Sequence, residues 1–390
     1  MVVDCLGWDM DFDQRMYAVN SGAITESTEE QAAGSFHGES QVVVPVILSG
    51  GGGSRLWPFS TKDMPKQFLP LIDNKCLFEE ALDRVRDRRR FAPPIVVGSI
   101  HHADLCERLL DDDGQGARLI LEPFARNTAP AVIMAAAVAR EIAGDDALIL
   151  VMPSDHVIEK VDEFHEAIAA GEAAARAGRL VTFGVRPTGP DTGYGYLKTG
   201  GDVLEAPGVK DVLRFVEKPQ FEVAEKMVAD GDHLWNAGIF LFRAGTLLDE
   251  AARTSPVIEQ FARDAVQSAR RDGIRIFPDA RLLEACPSES IDYAVMELSS
   301  RVAVVPMSPG WSDLGSWDAL ASILGTAPSV GPITAVDCES CYIRSDGVQV
   351  AALGVRDLII VASGGRLLIL PRGRSQEVKR LLSAMDSMAA

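Results

Sequence analysis

Apolar and polar residues fall in alternating blocks along this chain. Residues 42–48 form a short apolar run that stops at Ser49 and four glycines, which predicts a buried strand feeding a tight loop. Further apolar runs at Ile95–Val97, Leu119–Leu121 and Ala147–Met152 read as strands. Helical periodicity fills the gaps, at Leu77–Val85, Ala103–Leu110 and the Ala-rich Ala129–Ile142. Strand and helix in alternation predict an α/β fold: a Rossmann-like, mostly parallel sheet flanked by helices on both faces. Ligands of such sheets bind beyond the carboxyl ends of the strands, so chemistry is expected in the loops there.

The pattern continues with strands at Leu180–Phe183, Val212–Val216 and Ile239–Phe242, and helices at Phe164–Ala177, Phe221–Ala229 and Val257–Ala269. From residue 326 the texture changes. Short strands at Ile333–Val336, Cys341–Ile343, Val348–Ala351, Leu358–Val361 and Leu367–Leu370 are separated by frequent turn residues. They predict a small all-β, β-helix-like appendage over 326–375, with a short barrel as the alternative, and a helix or tail over 376–390. The main domain then spans 41–325.

Charge and cysteine content narrow the function classes. The formal net charge of −18 argues against a nucleic-acid binder and requires any anion site to gather cations, or a metal, locally. No run of 18 apolar residues suggests a membrane span. The six cysteines form no framework, and Cys338 and Cys341 lack a second pair for zinc, so ordinary thiols of a reducing, cytoplasmic compartment are expected. Residues 1–40 carry eight acidic groups and one basic one, Arg15, without the apolar core of a secretory signal. They read as a disordered acidic leader, or as the product of a start codon assigned too far upstream.

The strongest chemical signal is Ser49-Gly50-Gly51-Gly52-Gly53-Ser54-Arg55-Leu56-Trp57-Pro58, followed by Pro65-Lys66-Gln67-Phe68. Glycines after a buried strand let backbone N–H groups close around phosphate oxygens, and Arg55 and Lys66 supply charge. The Walker pattern is absent, and the dinucleotide fingerprint fails because no glycine occupies its third position. Asp155 and Asp313 each follow an apolar strand, where an aspartate serves either as a turn or helix cap or as a hard-oxygen metal ligand.

These motifs resemble the pyrophosphorylase signature of bacterial mannose-1-phosphate guanylyltransferases. The similarity runs on through Glu122-Pro123, Arg126-Asn127-Thr128-Ala129-Pro130, Pro153-Ser154-Asp155-His156 and Thr192-Gly193-Tyr194-Gly195-Tyr196. It continues in Phe215-Val216-Glu217-Lys218-Pro219, Trp235-Asn236-Ala237-Gly238, Ser290-Ile291-Asp292-Tyr293 and Trp311-Ser312-Asp313-Leu314-Gly315-Ser316-Trp317, in the family's order over residues 42–375. Two departures stand out: Thr61 where the family usually has Arg, and Ala237 where it has Ser.

The resemblance implies transfer of GMP from GTP to mannose 1-phosphate, giving GDP-mannose and pyrophosphate, with Mg²⁺ held by Asp155 and Asp313. Arg55 and Lys66 join those aspartates as catalytic candidates. Leu48, Gly50, Gly51, Gly53 and Ser54, with Glu122, Arg126, Asn127 and Thr128 after the third strand, become nucleotide-binding candidates; helix capping is an equal reading for Asn127 and Thr128. Gly193, Tyr194, Gly195, Glu217, Lys218 and Asn236 are assigned to the sugar phosphate, and His156 to orienting its loop. The last histidine is His233, so the metal-binding isomerase domain of the family's longer members is not expected. Self-association through the appendage is a further expectation. Transfer to another sugar 1-phosphate or from another nucleotide remains open, as does an inactive regulatory subunit that binds a nucleotide sugar.

Overall fold

A computed structural model describes residues 42–51, 53–110, 116–325 and 329–389. The leader expected over 1–40 lies outside them. The first block repeats strand and helix: β1 (Val44–Ser49), α1 (Leu77–Asp83), β2 (Ile95–Ser99), α2 (Ala103–Leu110), β3 (Arg118–Glu122), α3 (Thr128–Ala143) and β4 (Leu148–Pro153). Then come β5 (Val157–Ile158), α4 (Val161–Arg176), β6 (Leu180–Val185), β7 (Tyr196–Val203), β8 (Ala206–Val216), α5 (Phe221–Asp230) and β9 (His233–Arg243). The main domain closes with α6 (Ala244–Thr254), α7 (Pro256–Gln267), β10 (Arg270–Asp272), β11 (Arg275–Phe277), α8 (Ala280–Ala285), β12 (Val302–Met307), β13 (Trp311–Ser312) and α9 (Trp317–Leu324).

One 11-stranded sheet carries the architecture, in the order β10-β11-β3-β2-β1-β4-β9-β6-β12-β8-β7. From β11 to β4 every pairing is parallel, which puts the loops after β1, β2, β3 and β4 along one edge. Beyond β4 the sheet turns mixed: β9 runs antiparallel to β4 and β6, while β12 is parallel to β6. Residues Ala129 through Ala139 of α3 are all buried. Their mostly small side chains let that helix pack closely between the sheet and α6 and α7. β7 has no counterpart in the apolar pattern, because Lys198-Thr199-Gly200-Gly201-Asp202 shows no alternation. Its pairing with both β8 and β9 holds it as a strand.

The C-terminal part contains β14 (Ser329–Val330), β15 (Ile333–Val336), β16 (Tyr342–Ser345), β17 (Val350–Leu353), β18 (Leu358–Ser363), β19 (Arg366–Pro371) and α10 (Val378–Ala389). β14, β16 and β18 stack in parallel on one face and β15 and β17 on another, as successive coils of a β-helix do. Tyr342, Ile359, Val361, Leu368 and Val378 share one buried apolar cluster with Leu56, Leu69, Leu71, Leu314 and Trp317. The β unit therefore packs directly beneath the glycine loop and the segment that carries Asp313.

Candidate active site

The glycine loop leaves β1 with Gly51 at φ 87° and Gly53 at φ 55°, both in the left-handed region that favours glycine. Gly53 has a second reason to lack a side chain, since a Cβ there would lie 2.3 Å from Lys66 Cβ. The Ser60 hydroxyl donates to Gly53 O at 2.6 Å, and Leu48 O accepts from Ser154 N at 3.0 Å, tying the loop to the one after β4. Gly50 and Gly51 are exposed, as a backbone cradle for phosphate requires.

Lys66 lies in a short turn, Lys66–Phe68, with its side chain almost wholly buried. Its Nζ donates to Asp155 Oδ2 at 2.8 Å and to the Asp313 carbonyl at 2.6 Å. Asp155 and Asp313 are 158 positions apart in the chain and come together because β13 pairs antiparallel with β5, Ser312 opposite Val157. The Asp313 carboxylate accepts from Tyr194 Oη at 2.9 Å and Gly315 N at 3.0 Å. Burial opposes the charged form of Asp155, but the Lys66 ammonium and His156 outweigh it and hold its pKa below the usual carboxylate range. Burial pushes the His156 pKa down, and its Nδ1 accepts from Trp311 Nε1 at 3.2 Å. Behind it, buried Arg84 donates to His156 O at 2.9 Å. Lys66 thus ties the Asp155 carboxylate to the Asp313 backbone, and two carboxylates are hard oxygen donors that suit a Mg²⁺ ion better than zinc or copper.

A second group gathers at the ends of β8 and β9. Lys218, at φ 47°, donates to the neighbouring Glu217 Oε1. Burial opposes the Lys218 charge, but Glu217 more than offsets this and raises its pKa. Gly195 sits so close to Glu217 that a Cβ would lie 2.5 Å from Oε2. Asn236 N donates to Gly195 O at 2.8 Å, while its side-chain carbonyl accepts from Thr182 Oγ1 at 2.7 Å and its amide donates to Asp292 Oδ1 at 3.0 Å. Asp292, quoted in a motif above but given no role, is a member of this group. Burial and the charge of Glu217 push its pKa up to about 7. A lone aspartate ahead of a tyrosine carries no signal of that in sequence. Tyr194 links the two groups: its ring centroid lies 4.9 Å from Trp235 and 5.3 Å from Trp311, and its hydroxyl reaches Asp313. Gly193 is turned aside at the exposed start of this segment, its N–H donating to Asp191 Oδ1 at 2.7 Å.

The loop after β3 divides its residues between jobs. Asn127 caps α3 through Thr128 N at 2.9 Å, and Thr128 Oγ1 accepts from Ile291 N at 2.9 Å, so both perform the capping and bracing role. Arg126 donates to Leu283 O and Glu284 O at the end of α8 and lies over Phe124. Glu122, at the end of β3, differs: it is buried, and its Oε1 finds no hydrogen-bond partner among the described residues. Burial pushes its pKa up to about 7.

This arrangement finds its parallels among known proteins. A nucleotidyl transferase family model matches residues 44–327. The chain belongs to that family. Residues 331–385 match a second model, the MannoseP isomerase/GMP-like beta-helix domain, so the C-terminal unit is β-helix-like and not a cupin. The chain is 39% identical over 349 residues to the alginate biosynthesis protein AlgA of Pseudomonas aeruginosa, covering 88% of this chain and 72% of that protein. To the mannose-1-phosphate guanylyltransferase of Klebsiella pneumoniae it is 40% identical over 345 residues, covering 87% and 73% respectively. Among solved structures, one described as a mannose-1-phosphate geranyltransferase from Thermus thermophilus superposes with a TM-score of 0.77 at 30% identity, covering 88% of this chain and 99% of that one. This nucleotidyltransferase thus has a glycine loop, an aspartate pair and a cluster of Glu217, Lys218, Asn236 and Asp292. Among its described residues no helix is long and apolar enough to cross a membrane.

Proposed function

We propose that this nucleotidyltransferase makes GDP-mannose from GTP and mannose 1-phosphate, releasing pyrophosphate. The observation that carries the reading is Lys66, which joins the glycine loop to Asp155 and Asp313 in one buried contact. It supports a centre built to bring two polyanions together. The guanylyltransferase relative supplies the choice of sugar and base.

In the reaction an oxygen of mannose 1-phosphate attacks the α-phosphorus of GTP in line. A new P–O bond forms as the bond to the β-phosphate oxygen breaks, and that electron pair leaves with pyrophosphate. No general base is needed, because a phosphate monoester has its second pKa near ~6 and is largely dianionic at neutral pH. Backbone N–H groups of Gly50, Gly51 and Gly53, with Ser54, cradle the triphosphate, and Arg55 and Lys66 stabilise charge on the departing pyrophosphate. Lys218 holds the attacking phosphate, Glu217 and Asn236 accept or donate to sugar hydroxyls, and Asp292 fixes the Asn236 amide. Asp155 and Asp313 would hold Mg²⁺, which supplies charge neutralisation and a template for the phosphates. Five free cysteines among the described residues fit a cytoplasmic enzyme.

Glu122 is the group suited to select guanine. Guanine presents adjacent N1–H and N2–H donors, and a buried carboxylate with an open oxygen is an acceptor that adenine cannot satisfy in the same way. The test is pyrophosphate release from each nucleoside triphosphate paired with mannose or glucose 1-phosphate, for wild type and Glu122→Gln. GTP with mannose 1-phosphate should be fastest, and the variant should lose most of its preference for GTP over ATP. Equal rates with all nucleotides in the wild type would remove the guanylyl assignment. No release from any pair would remove the enzyme.

A further inference from the structure

The segment between β19 and α10 leaves the β unit and lies against the glycine loop. Asp318, in the first turn of α9, fastens it: Oδ1 accepts from Gly373 N at 2.8 Å and Oδ2 from Ser375 N at 3.0 Å. Asp318 N returns a bond to Ser375 Oγ at 3.0 Å, and Ser375 is fully buried. One residue beyond this anchored turn, the side-chain carbonyl of Gln376 accepts from Arg55 Nη1. A second brace reaches the neighbouring cation. Arg344 of β16 is buried, donates to Leu71 O at 2.6 Å and Pro70 O at 2.9 Å, and lies 5.0 Å from the Phe59 ring centre. It thereby fixes the end of the segment that begins with Pro65 and Lys66. Both loop cations are backed by the β unit.

We infer that the β unit is a working part of the phosphate site and that Gln376 is its positioning residue, aiming the Arg55 guanidinium at the triphosphate. The inference rests on the reading above, in which Arg55 serves GTP. The residue type is informative. A neutral amide oxygen takes one of the five guanidinium N–H donors and leaves the positive charge, and the remaining donors, for an anion. A carboxylate of nearly the same shape at this position would capture Arg55 as a bidentate partner and cancel the charge. Removing the acceptor altogether would only free the side chain to wander.

The two substitutions therefore separate positioning from support of the fold. Gln376→Ala should lower kcat/KM for GTP by roughly 3- to 10-fold, the low end expected of one exposed hydrogen bond to a charged group. Gln376→Glu should lower it further, by roughly 10- to 100-fold, although it is the closer match in shape. Neither should alter KM for mannose 1-phosphate, and neither should shift Tm by more than about 2 °C, within the range of an ordinary surface change. In an Arg55→Ala background, assayed at high enzyme concentration, Gln376→Glu should have no further effect. Activity of Gln376→Glu within about twofold of wild type would overturn the inference. So would an equal loss with and without Arg55, since Gln376 would then act through something else. Failure of wild type to transfer any nucleotide would instead overturn the proposed function, which keeps the two failures apart.

Discussion

The two clusters of the candidate site are built on different electrostatic plans. At the aspartate end, Lys66, Asp155 and Asp313 come from three distant parts of the chain and are cross-braced before any substrate arrives. The Lys66 side chain is only 5% exposed, so its charge acts where solvent screening is weak. At the end proposed to take the sugar phosphate, Glu217 and Lys218 are neighbours in sequence, and the Lys218 side chain is 58% exposed. Here two carboxylates, Glu217 and Asp292, crowd one another, and a single exposed ammonium partly balances them. A preorganised centre lowers the barrier, whereas a loosely held cation next to water mainly captures a substrate. On the proposed reading, the first end sets kcat and the second sets KM for mannose 1-phosphate.

The most severe way to break that contrast is to remove an aspartate. Asp155→Ala and Asp313→Ala should each lower kcat by roughly 10²- to 10³-fold at saturating Mg²⁺, as loss of a preorganised charge does elsewhere. Far-ultraviolet circular dichroism should be unchanged, because both residues lie on loops at strand ends. A variant that keeps more than about a tenth of wild-type kcat is not missing a principal metal ligand.

Exchanging the cations sharpens the contrast. Lys218→Ala should raise KM for mannose 1-phosphate by roughly 10-fold, the lower part of the range for a charge-assisted bond because the side chain is half exposed, and leave KM for GTP nearly unchanged. Arg55→Ala should lower kcat instead, since a cation on departing pyrophosphate acts chiefly in the transition state. Steady-state kinetics with each substrate varied in turn would read both. The opposite pattern would mean the two ends are assigned backwards.

The mildest effect concerns stability. Asp292 has a folded pKa of about 7 against an ordinary 3.8, so the native state binds the proton more tightly than the unfolded chain does. Stability must then fall as pH rises through that window, because the charged form is the one that burial and Glu217 disfavour. Asp292→Asn removes the titration and keeps an acceptor for Asn236. Its Tm should match wild type near pH 4 and exceed it by a few degrees at pH 8. Parallel Tm curves across that range would show that Asp292 is not the titrating group.

The signature loop, the parallel block around it and the β appendage were all readable from apolar runs and glycines, because those signals are local. Arg126 shows where motif reading stops: its place in the loop after β3 was legible, but its two bonds to the end of α8 depend on where that helix docks. Asp292 was invisible as a site member for the same reason. So was the brace through Gln376, since nothing near residue 376 in the chain suggests a partner at Arg55.

By itself, the order of residues determined which side chains can bind phosphate, where the loops fall, and that the chain is an α/β nucleotidyltransferase. Backbone conformation and burial follow from near neighbours, and a glycine run after an apolar strand carries both. Only the tertiary structure decided that Lys66 reaches both the Asp155 carboxylate and the Asp313 carbonyl. The decision rests on β5 and β13, two strands of two residues each, too short to leave any periodic trace. Their pairing is fixed by what surrounds them, with Val157 and Leu314 locked in the apolar cluster that also holds Trp317 and Tyr342. Charges brought together by packing have no spacing along the chain to betray them.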